Sequence, residues 1–178
     1  MANLIFISGG ASSGKSEYAE NKLIEISGND LKIYLAAMKI NNNDPEILRR
    51  IENHRKMRAD KNFKLIEAEK NFSNIIPANS SVLIESLSSW LANEMFNENN
   101  NNINLNSNVV NKIFNEIMTI KNFSHNLIIV SDDIFSDGII YDEMTELYIK
   151  NLAQLHIKTA QISNEALEIV SGLKIKYV

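Results

Sequence analysis

The hydrophobic positions of the chain fall into short unbroken runs separated by longer stretches in which apolar residues recur every three or four positions. Leu4-Ile5-Phe6-Ile7, Leu31 to Ala37, Val82-Leu83-Ile84 and Leu127-Ile128-Ile129-Val130 are runs of the first kind. Continuous apolar runs of this length predict strands buried on both faces of a parallel sheet. Each ends at or is followed by a polar or small residue where a loop would begin: Ser8, Ala37, Glu85 and Ser131.

Helical spacing fills the intervals. It predicts helices over Ser16 to Ile26, over Pro45 to Arg58 with Asp44 as N-cap, and over Ser88 to Phe96. Val110, Ile113, Phe114, Ile117 and Ile120 continue the pattern before the fourth strand, and Met144, Leu147, Tyr148, Leu152 and Leu155 continue it after. Residues 166–170 and 173–177 flank Gly172 and predict a closing hairpin, which adds an antiparallel strand at one edge. Strands alternating with helices define an α/β class: a mostly parallel sheet with helices on both faces, three layers in all. A length of 178 residues suits one compact domain, taken as 1–178.

Composition narrows the function classes. The net charge of -4 comes from interspersed acidic and basic residues, with no Lys/Arg run to follow a nucleic-acid backbone, so nucleic acid is not an expected partner. Cysteine is absent, which removes disulfides and thiolate metal sites. No segment approaches the roughly 20 apolar residues that span a bilayer, and residues 1–8 lack the basic start of a secretory signal. These features predict a soluble cytoplasmic protein. Eight of the residues from Asn97 to Asn108 are Asn, which disfavours helix and strand and predicts a surface loop.

Chemistry concentrates after the first strand. Gly9-Gly10-Ala11-Ser12-Ser13-Gly14-Lys15-Ser16 holds three of the six glycines and sits between a predicted strand and a predicted helix. That context makes it a P-loop: its backbone N–H groups curl around a phosphate chain, Lys15 reaches the β- and γ-phosphates, and Ser16 ligates Mg²⁺. The fold expected is therefore P-loop NTPase-like, of the RecA-like kind. Glu85 ends the third apolar run, where a carboxylate at the sheet edge can hold Mg²⁺ directly or through water, or can simply be solvated. Asp44 to Arg58 is dense in charge; Arg50 and His54 share a helical face, and Arg55 and Arg58 flank His54. Spacing alone reads this segment as a solvated charged helix, although such cations also suit an anionic ligand.

Four segments together resemble the cobinamide kinase and cobinamide-phosphate guanylyltransferase family of cobalamin biosynthesis. The first is the loop at 9–16 continuing to Ala19-Glu20, with Ser12 where the family usually has Arg; the second is Tyr34-Leu35-Ala36-Ala37. The third is an Asp-x-Glu-x3-Arg-Ile-x2-His signature met by Asp44, Glu46, Arg50, Ile51 and His54. The fourth is Leu83 to Asn93, which is similar to an acidic-Cys-Leu-Thr-x-Trp-Leu-x-Asn segment with Ser86 in place of Cys. The second half departs from the family pattern. A Ser/Thr-Asn-Glu-Val-Gly loop appears as Ser131-Asp132-Asp133-Ile134-Phe135, Tyr141 stands in place of a Pro, and a Gly-x-x-Asn-Gln element becomes Ala153 to Ile157.

The resemblance implies a bifunctional enzyme that phosphorylates adenosylcobinamide with ATP or GTP and then adds GMP from GTP through a histidine-GMP intermediate on His54. By this resemblance nucleotide contacts fall on Gly9, Gly10, Ala11, Ser12, Ser13, Gly14, Lys15, Ser16, Ala37, Met38, Arg55, Arg58, Glu67, Lys70 and Ser88. Catalysis falls on His54 and Lys15, and Mg²⁺ on Ser16 and Glu85. It also implies a homotrimer. His125 and His156 match no catalytic position and read as surface or core packing. Two other readings remain open on sequence: a P-loop small-molecule kinase without guanylyl transfer, and a nucleotide-binding module without catalysis.

Overall fold

The computed structural model describes residues 2–37, 61–96 and 108–177. Within them the chain runs β1 (Asn3–Gly9), α1 (Lys15–Ser27), β2 (Lys32–Ala37), β3 (Phe63–Ala68) and β4 (Ser81–Glu85). It continues through α2 (Leu87–Met95), α3 (Val109–Phe123), β5 (Asn126–Asp132), α4 (Glu143–Gln161), β6 (Glu165–Val170) and β7 (Leu173–Lys176). The seven strands form one sheet in the order β3-β2-β4-β5-β1-β6-β7. All neighbours are parallel except β6 and β7, which pair antiparallel at the edge. This is the three-layer P-loop NTPase-like architecture expected from the alternation of runs and periodic stretches.

Alternate residues of the central strands bury on opposite faces, as a pleated strand requires. Leu4, Phe6, Ile33, Leu35, Val82, Ile84, Leu127 and Ile129 point to one face and pack with α2, α3 and α4 through Trp90, Leu91, Ile113, Ile117, Leu152 and Leu155. Ile5, Ile7, Tyr34, Leu83, Ile128, Val130, Leu167 and Ile169 point to the other, where Ala19 and Leu23 of α1 cover them. The two strand faces explain why the runs are continuous rather than alternating. Trp90 is fully buried, its ring 4.4 Å from that of Phe72.

The four apolar runs and the hairpin appear where expected, with bounds differing by a residue or two. One strand does not correspond to any expected element. β3 reads Phe63-Lys64-Leu65-Ile66-Glu67-Ala68, and its two charged residues interrupt the apolar run; it tolerates them because among the described residues it is an edge strand paired with β2 alone, and none of its residues is fully enclosed. The predicted helix over 45–58 and most of the Asn-rich stretch lie outside the described residues. Asn108, which ends that stretch, precedes α3 as its N-cap residue.

Candidate nucleotide and metal site

Parallel pairing places the C-terminal ends of β1, β2, β4 and β5 along one edge of the sheet. Register aligns Gly9 with Asp132, Ala36 with Glu85, and Glu85 with Val130. The loop that follows β1 therefore opens beside the carboxylates that end β4 and β5.

The loop's backbone is built by position-specific chemistry. An added Cβ on Gly9 would stand 2.6 Å from the Ile169 carbonyl oxygen of β6 and 2.7 Å from Ser13 Oγ, so only glycine lets β1 enter the turn this close to its neighbour. Gly14 takes φ +92° and Ser12 φ +57°, which turn the chain back on itself before α1 begins. Ser13 donates its N–H to the Gly10 carbonyl at 3.3 Å, and its own carbonyl accepts from Gly172 N at 2.9 Å, so the β6–β7 turn braces the loop. No side chain caps α1, which leaves its first N–H groups for a ligand. Ser13 Oγ is buried with no hydrogen-bond partner, a donor suited to a phosphate oxygen.

Lys15 is 8% exposed and lies across the loop mouth. Its ammonium donates to the Gly10 carbonyl at 3.0 Å and pairs with Asp132 Oδ1 at 2.9 Å. Ser16 Oγ donates to Glu85 Oε1, and Tyr34 OH donates to Glu85 Oε2. A hydroxyl and a carboxylate meeting beside a phosphate cradle are hard oxygen donors of the kind that would hold Mg²⁺. No group of three or more His, Asp or Glu suited to a metal occurs among the described residues.

Ser88 joins the same cluster from the first turn of α2. Its hydroxyl donates to Asp132 Oδ2 at 2.5 Å and lies 2.8 Å from Ser86 Oγ. Ser86 is the N-cap of α2 and accepts from Ser89 N at 3.2 Å. Tyr148 of α4 donates to the Ser88 carbonyl at 3.0 Å. Burial, with a smaller contribution from the charge of Asp132, pushes the Tyr148 phenol up to about 12 and keeps it a donor.

Of the residues singled out in the sequence, Gly9, Gly10, Ala11, Ser12, Ser13, Gly14, Lys15, Ser16, Glu85 and Ser88 thus belong to one connected edge. Ala37 ends β2 on that edge, and its carbonyl accepts from Asn93 Nδ2 at 3.4 Å. Glu67 lies opposite Ala36 on β3, separated from β1 by three intervening strands in the sheet order. Lys70 is 3.9 Å from Glu94 Oε2, a buried carboxylate that Lys112 approaches more closely, at 2.7 Å. Met38, His54, Arg55 and Arg58 lie outside the described residues.

Two site members had no sequence signal of their own. In the sequence Tyr34 reads as a strand residue within the Tyr34-Leu35-Ala36-Ala37 match, with no contact to a carboxylate implied, and Asp132 only as a departure from the family loop pattern. A carboxylate at the C-terminal end of a strand next to the P-loop strand is the signal that would have marked Asp132. The two remaining histidines take packing roles. His125 Nδ1 meets Asp30 Oδ1 at 3.0 Å on the surface. His156 Nε2 lies 2.7 Å from Ser131 Oγ, with its ring edge-on to Phe6 and Phe135.

The sheet order, the glycine-lined turn and the lysine across its mouth define a P-loop nucleotide-binding protein of α/β class. The particular branch follows from comparison with known families. The chain belongs to the cobinamide kinase / cobinamide phosphate guanyltransferase family, whose model matches residues 5–177. It is also 24% identical to the bifunctional adenosylcobalamin biosynthesis protein CobU of Escherichia coli (strain K12), over 97% of this chain and 98% of that protein. Family membership makes the chain an enzyme of cobalamin biosynthesis that uses nucleotide and corrinoid substrates. No helix among the described residues is long and apolar enough to cross a membrane.

Proposed function

We propose that the protein is a bifunctional enzyme that phosphorylates adenosylcobinamide with ATP or GTP and then transfers GMP from GTP to the product, giving adenosylcobinamide-GDP. The observation that carries the first half is Lys15, fixed across the mouth of a loop whose unpartnered Ser13 hydroxyl and uncapped helix start face the same space. In the kinase step the corrinoid hydroxyl oxygen attacks the γ-phosphorus, the bond to the bridging oxygen breaks, the nucleoside diphosphate leaves, and the proton passes to solvent. Lys15 and the loop N–H groups hold the phosphates in line and offset their charge, which is most of what phosphoryl transfer asks of a protein. Ser16 and Glu85 would hold Mg²⁺, which when bound supplies further charge neutralisation between phosphates.

For the second half we assign His54 as nucleophile, on its place in the Asp44-x-Glu46-x3-Arg50-Ile51-x2-His54 frame. A neutral imidazole nitrogen attacks the α-phosphorus of GTP and pyrophosphate leaves; a phosphate oxygen of the cobinamide phosphate then displaces the histidine. Arg55, Arg58, Glu67, Lys70, Ala37, Met38 and Ser88 complete the nucleotide contacts in this reading. The whole chain acts as one domain, in a cytoplasmic homotrimer.

The test is incubation with α-labelled GTP and Mg²⁺. Labelled protein should form an acid-labile, base-stable adduct that His54→Ala abolishes. Phosphorylation of cobinamide without any adduct would reduce the protein to a kinase, and GTP binding with no turnover on a corrinoid would reduce it to a nucleotide-binding module.

A further inference from the structure

The carboxylate of Asp132 is an unusual neighbour for a phosphate-binding lysine, because it is an anion built into an anion site. Its position is fixed from several directions. Its Cα is paired with that of Gly9 in the β1–β5 ladder, and the next residue, Asp133, donates its N–H to the Gly9 carbonyl at 2.9 Å. Its Oδ2 accepts from Ser88 at 2.5 Å while its Oδ1 holds Lys15 at 2.9 Å. Ser88 is held in turn by Ser86 and sits in the first turn of α2. Ser88 therefore holds the carboxylate beside Lys15 independently of the ion pair. Its side chain is 40% exposed, against 9% for that of Lys15, so the carboxylate stays open to solvent at the mouth that Lys15 spans.

A phosphate oxygen on Lys15 then shares that ammonium with a carboxylate a few ångströms away, and like charges at such a separation repel strongly in a partly desolvated site. One ammonium cannot neutralise both. A cation on the phosphates removes the conflict, and Ser16 with Glu85 provides the place to receive it.

We propose that Asp132 is a specificity-determining residue of the nucleotide site, occupying Lys15 before nucleotide binds and then admitting the triphosphate only in its metal-bound form. Asparagine at this position keeps the size and can still accept from Ser88, but carries no charge to exclude the free triphosphate. The inference rests on the nucleotide-site half of the proposed function and needs neither the corrinoid nor His54.

The experiment is GTP binding by titration calorimetry, in Mg²⁺ and in EDTA, to the unaltered protein, to Asp132→Asn and to Asp132→Ala. The loss of affinity on removing Mg²⁺ should shrink by at least about tenfold in both variants, chiefly because binding in EDTA tightens. A purely structural Asp132 predicts instead that both variants lose affinity alike in the two buffers. That result, or a metal dependence unchanged within about threefold, overturns the inference. Unaltered protein that binds GTP with this dependence yet transfers no phosphate to cobinamide overturns the proposed activity alone. Unaltered protein that binds no GTP in either buffer overturns both.

Discussion

His156 offers a measurable link between burial and pH. Its ring is enclosed by Phe6 and Phe135, with ring centroids 5.0 Å and 5.1 Å away, and Nε2 is bonded to the buried Ser131 hydroxyl. Burial pushes its pKa from 6.5 to about 4, against the weaker upward pull of Asp133 and Asp132. Because the unfolded imidazole titrates near 6.5, the unfolded state binds more protons between pH 6.5 and 4, and stability must fall as pH falls through that window. Two-state linkage over that shift gives a loss of about 2 kcal/mol between pH 7 and pH 5, and about 3 kcal/mol by pH 4. Other groups titrate over the same range, so the informative quantity is a difference between two proteins. His156→Gln removes the titration and some ring packing. It should be less stable at pH 7, but its decline from pH 7 to pH 5 in urea unfolding should be smaller by about 2 kcal/mol. Parallel declines in the two proteins would show that the imidazole is not held neutral, and would refute the burial argument.

Two further outcomes follow from the loop and its neighbours. Gly9→Ala drives a methyl against the Ile169 carbonyl and Ser13 Oγ, so it should cost on the order of 2 kcal/mol in unfolding free energy and weaken GTP binding at least about tenfold; unchanged calorimetric affinity would contradict the close approach of β1 and β6. Ser86→Ala removes the N-cap of α2 and one partner of Ser88, and should cost about 1 kcal/mol in urea unfolding. Restoration of that stability by Ser86→Thr separates capping from a general loss of packing.

The parts of this molecule that are visible in its sequence are those that one stretch of chain makes by itself. β1, the turn and α1 are contiguous, and the turn's need for glycine at Gly9 and Gly14 is met by local geometry that leaves a local mark. β3 left no such mark because Lys64 and Glu67 interrupt its apolar pattern, on a strand that among the described residues pairs with β2 alone. An edge strand can afford polar residues that a central strand cannot. The charged segment that holds His54 is marked in the sequence only by spacing and family likeness, and it lies outside the described residues.

The electrostatics of the site are written in a different way. Glu85 meets Ser16 and Tyr34, and Asp132 meets Lys15, because register sets Ala36 opposite Glu85 and Gly9 opposite Asp132. Neither pairing is a property of any short segment, so neither carboxylate can be assigned a partner from its own surroundings in the chain. Yet the register is not free. A slip of one residue in β5 would turn Ile128 and Val130 from the α1 face to the opposite one, exchanging them with Leu127 and Ile129 across a sheet buried on both sides. Both faces are apolar, so burial alone would tolerate the exchange less well only through shape. The polar ends discriminate more sharply: the slip would withdraw Asp132 from Lys15 and Ser88 and leave the Lys15 ammonium, largely enclosed, with only the Gly10 carbonyl. The ion pair that sets the character of the nucleotide site therefore also helps to fix the strand register that creates it.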